Sequence, residues 1–315
     1  RINERNAIGG ALRFFSLDEI TFTDASGNVI RDDKPSEFEL TGAYAFRLGK
    51  KFSIGINGKF AYSNLTGGIP VAGVNTKPGI VGATDLSFTY LNDEAKLGKI
   101  KGVYTCAITL NNIGNKVAYS ELSRRDFIPM NMKIGNSFTV QNNSYNKLTF
   151  SVDVQRLLVP TPAKYIVVDG ENILMSGKPN DIGVIAGMLQ SFSDAPGTVL
   201  EDEDGNYIQN EDGTYAIAKW SRLKEELSEI NIAAGVEWWY NDVFALRSGI
   251  FYESKNKGNR QFLNLGASLK YNAFAIDFSY LASLNGRQSP LANTLRFTLR
   301  FNIGGVTTSK TEEPK

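Results

Sequence analysis

Histidine is absent from this chain of 315 residues, and cysteine occurs once, as Cys106. Such a chain has no histidine-based catalytic triad, lacks the ligands of most zinc sites and cannot close an intramolecular disulfide. It has no run of about 18 or more apolar residues, so no helix is expected to cross a membrane. Nor does charge of one sign dominate, since 34 Lys and Arg stand against 33 Asp and Glu. The basic residues are spread rather than gathered in a stripe, which leaves nucleic-acid binding without support.

Alternation stands in place of these. Near the end, Leu295, Phe297, Leu299, Phe301 and Ile303 share one face while Thr294, Arg296, Thr298, Arg300 and Asn302 share the other, and a period of two is a β-strand. The pattern recurs in twelve segments, at 7–16, 37–48, 51–63, 81–91, 102–112, 131–140, 145–155, 229–240, 243–254, 260–271, 273–283 and 293–303. Strands of soluble sandwiches are mostly about five or six residues long, whereas a tilted strand needs roughly 9 to 11 to cross a bilayer. Only every second residue would then meet lipid, so an apolar content of 42% remains close to that of a soluble protein. The expected fold is all-β, a transmembrane antiparallel β-barrel over 1–303 followed by a tail at 304–315.

The two faces agree between segments. Phe52, Ile54, Ile56, Phe60 and Tyr62 oppose Asn57 and Lys59, and Phe274, Ile276, Phe278 and Tyr280 oppose Asp277 and Ser279. A lipid-facing Arg or Lys costs roughly 2 to 4 kcal/mol at the bilayer midplane. That cost explains why Lys59, Asp85, Lys133, Asp153, Glu237, Arg247, Lys270, Asp277, Arg296 and Arg300 all fall on the polar phase. Buried charges are paired, so an interior salt-bridge network is expected rather than a selectivity ring. Aromatic residues near strand ends, such as Phe38, Phe46, Trp238, Tyr240, Tyr252 and Tyr271, suit interfacial girdles.

Connections fall into two alternating classes. The segments 49–50, 141–144, 241–242 and 272 are short and 92–101 is somewhat longer, while 17–36, 64–80, 113–130, 156–228, 255–259 and 284–292 hold nearly all the long ones. Outer-membrane barrels keep short turns in the periplasm and long loops outside. The expected location is therefore the bacterial outer membrane, with long loops extracellular and the short turns and C-terminal tail periplasmic. An exported protein of this kind is expected to carry its export signal upstream of Arg1.

The connection 156–228 exceeds an ordinary loop, and loops of that length are usually functional. Within it, residues 181–192 place Ile182, Ile185, Leu189 and Phe192 at helical spacing, and residues 219–229 do the same with Trp220, Leu223, Leu227 and the following Ile230. Such faces either pack on each other and on the rim or present a docking surface. The candidate partner-binding residues are Ile182, Ile185, Met188, Leu189, Phe192 and Trp220.

Other motifs carry no chemistry. Asp202-Glu203-Asp204-Gly205-Asn206 opens like a calcium loop, but the bidentate glutamate at position 12 is missing, that position being Gly213 or Tyr215 according to the starting residue. The similarity of Asp204-Gly205-Asn206-Tyr207 to Asp212-Gly213-Thr214-Tyr215 predicts instead two turns flanking short strands, a hairpin. Gly9-Gly10 and Gly67-Gly68 lack the rest of a nucleotide fingerprint. Glu225, Glu226 and Glu229 read as a solvated helix face. No catalytic constellation, metal site or cofactor is expected.

The segment Arg5-Asn6-Ala7-Ile8-Gly9-Gly10-Ala11-Leu12-Arg13-Phe14-Phe15-Ser16-Leu17-Asp18-Glu19-Ile20, the loop pattern, and the closing Pro290-Leu291-Ala292-Asn293-Thr294-Leu295-Arg296-Phe297 resemble the PorV family. These are FadL-type outer-membrane barrels of the type IX secretion system. The resemblance spans essentially the whole chain. It implies a FadL-like barrel of fourteen strands, an even number as in other single-chain bacterial barrels, with its first strands and N-terminal plug upstream of Arg1. It also implies a non-enzymatic role, in which secreted cargo is bound through its C-terminal signal domain at the translocon and shuttled to the surface attachment complex. The implied partners are the translocon channel subunit, those signal domains, the attachment complex, and outer-membrane lipid or lipopolysaccharide. The alternative is a FadL-like transporter of long-chain fatty acids or other hydrophobic compounds. A transporter needs an apolar path through the lumen, whereas the inward residues here are mostly polar and the apolar surplus lies in 156–228, which favours the adaptor.

Overall fold

The computed structural model describes residues 2–302, apart from 25, 66, 69, 71–73, 121–124, 142 and 287–292. Ile303 and the expected tail at 304–315 lie outside the described residues. Successive elements are β1 (Asn6–Ser16), β2 (Ile20–Thr23), β3 (Val29–Asp33), β4 (Ser36–Arg47), β5 (Phe52–Asn64), β6 (Gly79–Leu97), β7 (Ile100–Gly114), β8 (Asn131–Gln141), β9 (Asn146–Leu157), β10 (Lys164–Val168), β11 (Glu171–Ser176), α1 (Val184–Gln190), α2 (Ser221–Ser228), β12 (Ile230–Tyr240), β13 (Phe244–Tyr252), β14 (Gln261–Tyr271), β15 (Phe274–Ser283) and β16 (Thr294–Phe301). Twelve strands form one sheet in the order β1-β4-β5-β6-β7-β8-β9-β12-β13-β14-β15-β16, and these are the twelve that alternation predicts.

Positive-φ residues close the short turns. Asn241 and Asp242 have φ of 52° and 53°, and Asn272 of 51°, the left-handed conformation that a tight hairpin needs and Asn or Asp tolerates best. One expectation changes here. The connection predicted at 92–101 is a two-residue turn, because β6 runs on to Leu97 and β7 begins at Ile100, with Gly98 at φ 61°. Asn92, Asp93, Glu94 and Lys96 read as loop, yet strand pairing carries polar residues well once the sheet has left the apolar band.

By contact the chain divides into two compact units, one of Arg1–Tyr90, Ala107–Ile134 and Gln155–Ile230, the other of Leu91–Cys106, Gly135–Val154 and Asn231–Lys315. In the first, β1, β4 and β5 pair antiparallel, with Leu12↔Leu40 and Leu40↔Phe60 on one face. Phe38 adds rings at 5.6 Å to Tyr62 and 6.1 Å to Phe60. The opposite face holds Asp85, whose carboxylate meets Lys59 Nζ at 2.7 Å and accepts the Asn112 backbone N–H at 2.8 Å and Asn57 Nδ2–H at 3.1 Å. The core of this unit is Ile128, Met130 and Leu158, with Val81, Leu110, Phe127, Met132, Val184 and Met188 packed against it.

In the second unit a ladder crosses five strands. Glu237 on β12 accepts from Arg247 on β13, Arg247 donates to Ser268 on β14, Ser268 donates to Asp277 on β15, and Asp277 receives Arg300 of β16 at 2.8 and 2.9 Å. Arg247 also stands 3.4 Å from Asp277. This is the predicted interior network, and its registers, Glu237↔Arg247 and Ser268↔Asp277, are those of the sheet itself. On the other face Phe278 meets Phe297 and Phe274 meets Phe301, each pair at 5.1 Å edge-to-face.

Two hairpins go unmarked in the alternation, β2–β3 and β10–β11. The first turns where the Asp24 carboxylate accepts the N–H groups of Ser26 and Asn28 at 2.8 and 2.9 Å, the second at Asp169-Gly170, φ 53° and 83°. Asp-Gly between Val168 and Glu171 is a readable hairpin signal. The two turns predicted at Asp204-Gly205 and Asp212-Gly213 form, with Gly205 and Gly213 at φ 83° and 80°, but the strands expected beside them reduce to isolated bridges, Glu201↔Tyr207 and Gln209↔Tyr215. Leu200, Ile208 and Ala216 close a three-membered ring of backbone bonds, Leu200 N–H to Ala216, Ala216 N–H to Ile208 and Ile208 N–H to Leu200. Eight-residue spacing brings these three backbones together and leaves no length for paired strands.

Candidate docking site

Residues 158–229 join β9 to β12 and carry both helices. Arg156, near the end of β9, anchors them. Its guanidinium donates to the Ser191 carbonyl at 2.5 Å, to the Glu229 carboxylate at 2.8 Å and to Glu226, and the Phe192 ring lies 5.2 Å from it. Thr161 donates its hydroxyl to Glu229 at 2.7 Å and its N–H to Asp194 at 3.0 Å. Glu226 accepts the Ala195 N–H at 2.9 Å, Glu225 the Gly197 N–H at 2.8 Å, and Ser221 Oγ the Thr198 N–H at 3.0 Å.

The glutamates are therefore not the solvated helix face that their spacing suggests. They turn inward, where backbone N–H groups of the irregular segment 195–198 would otherwise lie unpaired at a cost, and where Arg156 needs counter-charge. The signal that could have revealed this is Arg156 itself. It follows Phe150, Val152 and Val154 at period two, and a cation at the end of an apolar face calls for a carboxylate.

Asp194 is 1% exposed. Burial pushes its carboxyl above the ordinary value of 3.8, the Thr161 N–H opposes that, and the charges of Glu229 and Glu226 add to the rise. Asp194 Oδ1 and Arg156 Nε have no hydrogen-bond partner among the described residues.

The helices are shorter than their spacing predicts. Gly183 precedes α1 in an extended conformation, and Trp220, at φ 65°, starts α2. Ile185, Leu189 and Phe192 of the predicted set are exposed together, Leu189 at 64%. Ile182 is half-buried ahead of α1. Met188 turns the other way, with Val184, onto the Met130–Leu158 core. Gly187 lies between the two faces, where a Cβ would come within 2.7 Å of the Phe127 ring. Trp220 stands on α2 with Leu223 and Leu227, all exposed. Of the six candidates, Ile185, Leu189 and Phe192 are thus exposed along and just past α1 and Trp220 at the start of α2, while Met188 and Ile182 do not join them; Ile230, placed with the second helix by its spacing, begins β12.

Each unit also holds a cavity. One of about 390 Å³ in the first mixes Phe15, Val81 and Phe127 with Arg13, Glu39 and Lys59. One of about 590 Å³ in the second is lined by Glu237, Arg247, Asp277 and Arg300. No group of three or more metal-ligating side chains occurs among the described residues.

Residues 1–164 match the family described as "Type IX secretion system protein PorV", which is more than half of the 315 residues. The chain belongs to the PorV family. Its twelve-stranded sheet is accordingly that of an outer-membrane β-barrel, and the PorV context is protein secretion. The match ends where β10 begins, so α1 and α2 lie beyond it. Among solved structures the chain is similar to a deltaS2S3 mutant of the monoaromatic hydrocarbon channel TodX, at 10% identity and TM-score 0.46, covering 91% of this chain and 76% of that one. It is similar to the Pseudomonas putida toluene transporter TodX at 9% identity and TM-score 0.43, covering 89% and 74%. A Pseudomonas aeruginosa FadL homologue aligns at 14% identity and TM-score 0.34, covering 95% and 72%. A comparison with curated proteins gives no match.

Proposed function

We propose that this chain is a non-enzymatic cargo adaptor of the type IX secretion system. It binds the C-terminal signal domain of secreted proteins at the translocon channel subunit and passes them to the surface attachment complex. The observation that carries this reading is the stripe Ile185, Leu189 and Phe192, exposed on a helix whose opposite side is fastened to a buried core. A diffusion pore has no use for an apolar surface held so firmly outside its lumen. In this reading 158–229 and the other long connections are extracellular, the short turns and the segment after β16 periplasmic.

The test is a triple substitution, Ile185→Ser, Leu189→Ser and Phe192→Ser, which spares Val184 and Met188. In a strain lacking the native copy, the variant barrel should fold and insert while secretion and surface attachment of cargo fail. Full secretion would remove this stripe as the docking site. Normal secretion with loss of long-chain fatty-acid uptake would replace the adaptor by the transporter reading. Sidedness is read separately: a cysteine at Asn206 should react with an impermeant reagent on whole cells and one at Asn241 should not.

A further inference from the structure

α2 is an amphipathic helix mounted with its polar side inward. Glu225 and Glu226, with Glu229 at the cap, are bonded to 195–197, Thr161 and Arg156. The side turned away carries Trp220 at the N-cap, then Leu223, Lys224 and Leu227, one stripe at helical spacing. Trp220, Leu223 and Leu227 are 69%, 50% and 59% exposed, and Lys219 lies 5.9 Å from the Trp220 ring. Leucines flanked by a tryptophan and lysines, with the acids on the far side, are the make-up of a helix that lies in a lipid interface.

On α2 itself the carboxylates turn inward and Lys219 and Lys224 outward, so its exposed side presents two cations, suited to an anionic surface.

We propose that α2 is an interfacial anchor, its Trp220, Leu223 and Leu227 resting among the outer-leaflet acyl chains while Lys219 and Lys224 pair with lipopolysaccharide phosphates. The inference rests on the extracellular placement of 158–229 and divides the loop's work: the α1 stripe receives protein and the α2 stripe holds the membrane. To test it, the intact protein carrying Cys106→Ser receives a bimane fluorophore through Leu223→Cys, Leu227→Cys or Asn206→Cys. Each variant, checked for heat-modifiable folding, is placed in vesicles of dibrominated phosphatidylcholine with and without lipid A.

Probes at 223 and 227 should be blue-shifted and lose intensity to the brominated lipid, and the probe at 206 should not. Adding Lys219→Glu and Lys224→Glu should reduce the loss at 223 when lipid A is present. Quenching at 223 and 227 no greater than at 206 would overturn the anchor. So would probes shielded only on addition of cargo or a secretion partner, which would make α2 a protein-docking face. Whole-cell labelling keeps the two readings apart: a labelled Asn206→Cys with an unquenched 223 overturns the anchor alone, whereas an unlabelled one overturns the extracellular placement beneath both.

Discussion

The sheet from β12 to β16 and the segment 158–229 both turn apolar side chains outward and gather charge inward, but they do so by different means. In the sheet every inward partner is a strand neighbour, as Glu237 is of Arg247 and Ser268 of Asp277, so the registry that pairs backbones also pairs charges. In the loop Arg156 meets Ser191, Glu226 and Glu229 across 35, 70 and 73 residues of sequence. No repeating geometry delivers those partners. In the sheet each charge has neighbours on adjacent strands, while in the loop one cation, Arg156, joins three distant groups.

The largest expected effect follows from that arrangement. Arg156→Ala removes the cation from the buried Glu229 and the half-buried Glu226, and breaking a buried ion pair by removing one partner costs about 3 to 5 kcal/mol. Hydrogen exchange across 191–229 should accelerate while the strands keep their protection and the barrel its heat-modifiable migration. Unchanged protection in that segment would mean that the loop does not hang on this one cation.

Next in size is the test of the sheet's faces. Phe297→Arg puts a cation on the lipid side and removes the edge-to-face contact with Phe278, at about 2 to 4 kcal/mol near midplane. Arg296→Ala on the opposite face should cost far less in a urea-unfolding series in lipid. Equal losses would undo the assignment of faces.

The smallest effect sharpens the electrostatic contrast. The folded Asp194 carboxyl titrates above 3.8, chiefly through burial, so the folded loop holds this proton more tightly than the unfolded chain does. Its contribution to stability is complete below the unfolded value and is lost as pH rises through the folded one. Asp194→Asn, which keeps an oxygen for the Thr161 N–H, should flatten that dependence and leave loop protection at neutral pH equal to or above that of the parent. A variant with the parent's pH slope would assign the slope to another group.

The comparison also explains what could be read early. Strands, faces, the alternation of short and long connections and the membrane class come from a period of two that any β-strand imposes locally, visible from Leu295 to Phe301 without knowing what the strand pairs with. Family likeness was legible in the segment from Arg5 to Ile20. The hairpin at Asp169-Gly170 was legible too, yet Val167 and Val168 sit in a loop where alternation is too short to stand out. The candidate residues Ile185, Leu189 and Phe192 were found by their spacing, but the same spacing enrolled Met188, which packs inward.

The sequence by itself determined the twelve strands of the main sheet and their two faces, and the helical spacing of Ile185, Leu189 and Phe192 and of Trp220, Leu223 and Leu227, because each of these is set by neighbours within a few residues. Only the tertiary structure decided which side of each stripe is covered. An amphipathic helix has two faces and its sequence does not say which one is inside. For α2 the inward side is the one bonded to Arg156, a residue 65 positions before Ser221, and to the N–H groups of Ala195 and Gly197, so Glu225, Glu226 and Glu229 face in and Trp220, Leu223 and Leu227 lie outside.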